Sequence, residues 1–209
     1  MNAPTTPHMR AALLMLGSAF FFGMMAVSIR LASKSLHTFE IAFFRNFFGL
    51  LAAMPLLVRH GPSILRTNQL PRYFIRCVIG VLSMFCGFWA IGHLPLAQAI
   101  SLSYSTPLFV TIAAVWLLGE QVRARRWAAV VCGFIGVLII VRPGSDNFTL
   151  GSLVALSAAV LSGLVSIQIK QLSYTEPADR IVLYTTMLWV PLSLGPALFV
   201  WEWPTGITW

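Results

Sequence analysis

The chain has 209 residues, of which 58% are hydrophobic and 10% are charged, and it carries a formal net charge of +8. Charged residues make up about 25% of an average soluble domain, so a water-soluble fold could not clothe its surface with this composition, and lipid is the expected solvent. The positive charge lies in short segments between apolar runs and forms no basic face on a soluble fold, which excludes a nucleic-acid-binding reading.

A membrane-crossing helix needs about 20 mostly apolar residues. The first charge-free run is 11–29. It exceeds the roughly 7–15 residues of a signal-peptide core, and no small-x-small cleavage site follows, so it reads as a retained helix. The second run, 41–58, is broken only by Arg45, in IAFFRNFFGLL. The loop RHGPSILRTNQLPRY is basic and is the longest connection. Residues 77–119 carry no charge except one that His93 could take, and they hold two spans. The turn between these spans is GHLPLAQ, where Gly92 and Pro95 supply the turn chemistry. GEQVRARRW leads into a fifth span at 124–141, whose Arg125 and Arg126 can snorkel to the interface. RPGSDN is a breaker, and the spans 147–169 and 181–201 follow. The expectation is an all-α polytopic membrane bundle of seven transmembrane helices. No run alternates as a barrel strand must.

Basic residues set the orientation. Arg10, Arg59, Arg66, Arg72, Arg76, Arg123, Arg125, Arg126, Lys170 and Arg180 fall on one side. Arg30, Lys34 and Arg142 fall on the other. The richer side is expected to be cytoplasmic, with the N-terminus inside and Trp209 outside. Cys77, Cys86 and Cys132 lie in or beside spans without metal-ligand spacing and read as small packing residues. His8, His37, His60 and His93 are scattered over tails and loops. No Gly-rich phosphate loop follows a strand, and no cofactor is expected.

An internal echo is visible. VSIRLASKSL at 27–36 lies over VSIQIKQLSY at 165–174, and an acidic residue, Glu40 or Asp179, then opens the next span. The first copy exits outward and the second inward. An echo of opposite orientation is the pattern of an inverted repeat, a common transporter architecture. It divides the chain into one five-helix repeat over 1–144 and the first two helices of an inverted second repeat over 145–209.

The stretch SLSYSTPLFVTIAAVWLLGEQVRARRWAAVVCGFIGVLIIVRPG resembles the signature of the EamA family of the drug/metabolite transporter superfamily. The resemblance rests on Tyr104, Pro107, Leu118-Gly119-Glu120, the basic loop into Trp127, and Gly133 and Gly136. AIGHLPLAQAISL and FEIAFFRNFFGLL are similar to the family too, the second with its arginine early in helix two. The resemblance implies a secondary transporter that moves a small metabolite by alternating access across a bacterial-type inner membrane. It implies no enzyme activity. Members usually have ten helices in two inverted halves, so an end after helix seven implies a truncated chain. The alternative is a non-transporting membrane fragment or half-transporter, and two partners stay open: a second copy, or a separate second half.

The residues offer few other chemistries. A retinal-type receptor needs a lysine in its seventh span, and 181–201 has none. A membrane enzyme would need clustered His, Asp, Glu or Cys at depth. No carboxylate lies at mid-membrane, so exchange or facilitated diffusion fits at least as well as a proton relay.

Five residues are candidates for the site. Arg45 stands about five residues inside the outer edge of helix two, roughly 7–8 Å at 1.5 Å per residue. Glu40, five positions earlier, is off its face. The guanidinium either snorkels to the interface or faces a wet cavity and receives a carboxylate or phosphate. Phe85 and Trp89, four apart on helix three, could stack a flat substrate, though such stripes are more often packing or lipid contact. Pro107 frees the carbonyl of Ser103 and is expected to kink helix four beside Tyr104, as a gate or as packing. Serine and threonine hydroxyls nearby must satisfy that carbonyl. Gly133 with Gly136, and Gly163 with Ser162 and Ser166, are expected to be close-packing faces. Glu120 is expected to pair with Arg123, and Trp127, Trp201 and Trp203 to be interfacial.

Overall fold

The computed structural model describes residues 7–141 and 149–201, apart from the side chains of Pro7, His8, Arg10, Pro62 and Ser63. The connection at 142–147 and Trp203 lie outside the described residues. The described part is helical: α1 (Pro7–Ala32), α2 (Thr38–His60), α3 (Leu70–His93), α4 (Leu96–Ser103), α5 (Thr106–Leu118), α6 (Ala124–Val141), α7 (Leu150–Ser173) and α8 (Ala178–Phe199). A single 3-10 turn, Pro62–Leu65, follows α2. Seven stretches are long and apolar enough to cross a membrane, and α4 and α5 together form one of them, Leu96–Leu118.

Local chemistry places the helix ends. At the start of α2 the backbone N–H of His37 donates to Glu40 Oε2 (2.9 Å), while the His37 ring accepts from the Phe39 N–H (3.3 Å). This reciprocal cap satisfies donors that a helix N-terminus leaves open. Gly119 stops α5 at φ 65°, a left-handed conformation that glycine adopts without a Cβ penalty.

The fourth span breaks as its sequence suggests. Tyr104 and Ser105 form a tight turn between α4 and α5, and Pro107 occupies the first turn of α5, where its missing N–H costs least. The Thr106 hydroxyl donates to the Ser103 carbonyl (2.8 Å), and the Ser105 hydroxyl donates to the Leu102 carbonyl (2.6 Å). Side chains thus replace ladder bonds that water cannot replace in lipid.

α3 is the central helix, packed chiefly on α7 and α8 and also touching α1, α2 and α4. The α3–α7 seam is built from small residues. Ser83 donates to the Ala158 carbonyl (2.9 Å) and shares a hydrogen bond with Ser162 (2.7 Å). A Cβ added at Gly87 would lie 3.9 Å from that of Ala158. Small side chains allow this approach where lipid provides no hydrophobic drive between helices. α1 is peripheral: 11% of its spanning window is buried, against 39% for α3 and for α7.

The two ends of the bundle are fastened differently. At the end holding the α3–α4 turn, Arg30 Nη1 reaches the carbonyls of Ile91 (2.6 Å), Gly92 (2.5 Å) and Leu94 (2.9 Å). One α1 guanidinium therefore caps the C-terminus of α3. At the opposite, basic end the 60–69 segment is tied to α8. Arg180 donates to the Ile64 carbonyl (2.7 Å), Tyr184 donates to the Leu65 carbonyl, and His60 lies 3.4 Å from Asp179. Glu176 accepts from Thr67 (2.6 Å) and pairs with Arg180 (2.6 Å). Burial works against ionising Glu176, but these two donors outweigh it and hold its carboxyl below the ordinary value.

Three expectations need correction. α3 begins at Leu70, so Arg72, expected in the basic loop, is helical, and Arg76, counted with the basic residues of that side, is buried against Thr185 of α8. Glu120 takes Lys170 of α7 as its salt-bridge partner, not Arg123, because α5 and α7 pack together and end on the same side. The small face on α7 is divided: Gly163 meets α5, Ser162 bonds Ser83 of α3 at the edge of a cavity, and Ser166 faces that cavity.

A Cβ at Gly163 would stand 3.0 Å from Phe109 Cβ and 3.2 Å from the Val110 nitrogen, whereas nothing lies within 4 Å of one at Gly136. Gly163→Val should destabilise the purified protein by about 1–3 kcal/mol through overpacking. Gly136→Ala should be neutral or slightly stabilising, since alanine is the better helix former by about 1 kcal/mol. Thermal unfolding in one detergent checks both, and equal melting temperatures for the two variants would refute the close α5–α7 approach.

Candidate functional site

A cavity of about 360 Å³ opens among α1, α2, α3, the α4–α5 break, α7 and α8. That volume falls at the lower end of small-molecule sites. The walls are largely apolar and include Phe22, Met84, Phe88 and Ile91. Polar groups are few: Arg45, the hydroxyls of Ser83, Ser103, Thr106, Ser162 and Ser166, and the Trp189 indole. Apolar walls with sparse polar groups suit the orientation of a small ligand.

Arg45 is the charged side chain in this lining. It leaves α2 toward α3 and α8. Nη1 donates to Asn46 Oδ1 (3.1 Å) and approaches Met84 Sδ (3.4 Å). Its guanidinium carbon lies 5.2 Å from the centroid of Trp189, within cation–π range. Among the described residues no salt bridge joins it to a carboxylate. An indole face, a thioether and an amide hold the cation in place without neutralising it.

Those supports are themselves fixed. Asn46 is 3% exposed and donates through Nδ2 to Ser193 Oγ (3.1 Å), tying α2 to α8. Ser193 is fully buried and donates back to the carbonyl of Trp189 (2.7 Å) one turn earlier. The Trp189 indole lies against Gly80 of α3, where an added Cβ would be 3.0 Å from Cζ2. Glycine at 80 therefore makes room for the ring that faces Arg45.

The other candidates stand elsewhere. Phe85 packs edge-on to Phe39 (4.6 Å between centroids) within the α1–α2–α3 core. Trp89 stacks on His93 (4.0 Å, 16°) beside a separate groove with Gln98 and Gly151. Tyr104 is exposed on the outside of the α4–α5 break. Pro107 is exposed too, while its neighbours Ser103 and Thr106 reach the cavity. Of the five, the structure brings only Arg45 into this lining.

Trp189, Asn46, Met84 and Ser83 are constituents that sequence reasoning passed over. Two of them carry a signal. Trp189 lies mid-way along its span, away from an interfacial belt. Asn46 is an amide beside an intramembrane arginine. Met84 and Ser83 look like ordinary span residues and become visible only in three dimensions.

Comparison with known proteins agrees with this architecture. Residues 9–142 match the EamA-like transporter family. The chain is 36% identical over 145 residues to a riboflavin transporter of Vibrio cholerae, covering 69% of this chain and 49% of that protein. It is 33% identical to an S-adenosylmethionine uptake transporter of Rickettsia felis, covering 82% and 58%. It is 35% identical to the pseudopaline exporter CntI of Pseudomonas aeruginosa, covering 84% and 63%. The chain thus spans about half to three-fifths of the length of these relatives. One crystal structure shares the fold, with a TM-score of 0.62 at 20% identity over 92% of this chain and 72% of the other. The chain is a multi-pass membrane protein that belongs to the EamA-like transporter family, a family of transporters and not of enzymes.

Proposed function

We propose that these helices carry a small, anionic metabolite across a membrane by alternating access, with Arg45 receiving the anionic group. The observation that supports this most is a guanidinium set in the wall of an open 360 Å³ cavity without a carboxylate partner among the described residues. A planar guanidinium offers paired donors that match a carboxylate or phosphate. The serine hydroxyls across the cavity add acceptors and donors that orient the rest of the molecule. The relatives' names include both uptake and export, so the proposal covers passage without direction.

The inverted repeat and the orientation belong to the same proposal. In the repeat reading, 1–144 is one five-helix unit and 145–209 opens its inverted twin. Glu40 lies in the first turn of α2 and Asp179 in the first turn of α8, which supports the alignment of the two Val-Ser-Ile segments. The basic end would face the cytoplasm of a bacterial-type inner membrane, with the cavity lying nearer the outer side. A second copy of the chain, or a second half, is the proposed partner class. α1 supports it, since most of its apolar surface is uncovered.

Two outcomes test the reading. Transport in proteoliposomes should fall at least about tenfold in Arg45→Gln at unchanged expression, with Arg45→Lys intermediate, because a lysine keeps the charge but not the fork. Equal behaviour of Lys and Gln, or unchanged transport, would remove Arg45 from substrate handling. In a background without the native cysteines, Ser162→Cys should react with a water-soluble thiol reagent and Ser193→Cys, which is fully buried, should not. A silent Ser162→Cys would show that water does not reach the cavity.

A further inference from the structure

Beneath the cavity, three buried hydrogen-bond donors are left without an acceptor. The floor is the Trp189 indole lying on Gly80, where an added Cβ would stand 3.0 Å from Cζ2 and 3.3 Å from Nε1. Four residues toward the basic end on each of these two helices stand Arg76 and Thr185. Positions four apart share a helix face, so this pair lies one turn below the floor. Tyr73 lies a further turn down α3.

Arg76 is 5% exposed, and its Nη1 donates to the Thr185 hydroxyl, while its Nε is buried without a partner. The Tyr73 hydroxyl is also buried and unpartnered, although its ring stacks on Tyr184 (4.7 Å, 25°). The indole Nε1 of Trp189 is the third. Guanidinium and indole N–H groups only donate, and a phenol hydroxyl supplies a donor. The remaining unpartnered buried atom among the described residues, Gln168 Oε1, is an acceptor on α7.

The groups facing Arg76 are Thr185, Tyr73 and Cys77, and the carboxylate nearest the cluster is Glu176, which acts on Tyr73 and is itself held by Thr67 and Arg180. The Thr185 hydroxyl itself donates onward to the Ile181 carbonyl. A fully buried cation is costly unless paired. Water could accept from these donors but would leave the guanidinium charge uncompensated. Among the described residues Arg76 itself has no carboxylate partner, and an acceptor that carries negative charge would complete its pairing.

We propose that Tyr73, Arg76 and Trp189 form a second anion-binding station, closed off below the cavity by the indole, for a carboxylate- or phosphate-type oxyanion. The anion is either a group of the substrate that has passed Arg45 or a small free anion. The station lengthens the proposed route, but its test is binding and not transport, so the two readings fail separately.

The full chain in lipid nanodiscs is titrated with sodium acetate and, separately, with sodium phosphate, at ionic strength held constant with gluconate. Tryptophan emission and melting temperature are followed. The expected result is a saturable change in both for the unmodified chain, part of which persists in Arg45→Gln after the cavity's own anion site is lost. Arg76→Gln should weaken the anion at least about tenfold, and Tyr73→Phe, which removes one unpartnered hydroxyl and keeps the ring, should weaken it several-fold. Trp189→Phe should abolish the emission change. Competition by phenylacetate, whose ring needs the cavity above, assigns the anion to a substrate, and failure to compete assigns it to a free ion. No saturable change, or equal affinity in Tyr73→Phe and the unmodified chain, overturns the station. Loss in Arg45→Gln with retention in Arg76→Gln also overturns it, since the anion would then sit in the open cavity alone.

Discussion

The structure turns on how one cation is held inside a membrane span. Arg45 is met by the Trp189 ring, the Met84 sulfur and the Asn46 amide. These contacts are weaker than an ion pair, with cation–π attraction worth about 0.5–2 kcal/mol. They orient the guanidinium and leave its charge available. Two of these supporting groups depend in turn on another helix: Trp189 needs the missing side chain at Gly80, and Asn46 needs Ser193. The site is thus a product of the α2–α3–α8 packing and not of one motif.

The bundle around it holds an open cavity above a closely packed end. On the cavity side, α3 and α7 meet through serines and alanines, and the α4–α5 break presents Ser103 and Thr106. Toward the basic end the same helices close on Tyr73, Leu172 and Ile181, and the 60–69 segment is bonded to α8. The cavity therefore lies above a packed, hydrogen-bonded end. Many of the polar groups in these helices serve as structural links or face the cavity, and the unpartnered buried donors of Tyr73, Arg76 and Trp189 are the exceptions, in a solvent where an unsatisfied group costs several kcal/mol.

Much of this was legible in the sequence, because lipid imposes strong rules. Span number followed from apolar run length, and the α4–α5 break followed from Pro107 together with the hydroxyls around it. Arg45 stood out as a charge where charges are expensive. Arg76 borders a basic loop and counts in sequence as one more charge of that side, and only the packing of α3 on α8 shows it to be internal. Glu120 was assigned to its neighbour in sequence, Arg123, when the nearer cation in space is Lys170. Phe85 and Trp89 formed a plausible stripe, but the rotation of α3 turns Gly80, Ser83, Met84 and Phe88 to the cavity instead. Helix rotation and partner choice are set by tertiary contacts, and periodicity in a helix that is apolar all round carries little information about them.

The central claim is that the cavity presents an uncompensated guanidinium to an incoming anion. The most direct measurement is calorimetric binding of a matched pair, phenylacetate and phenylacetamide, to the purified chain at low and at high salt. The ring is common to both ligands, and only the charge differs. The account predicts that the carboxylate binds at least about tenfold tighter, close to 1.4 kcal/mol, and that the margin shrinks as salt screens it. Equal affinity for the acid and the amide at every salt concentration would contradict it.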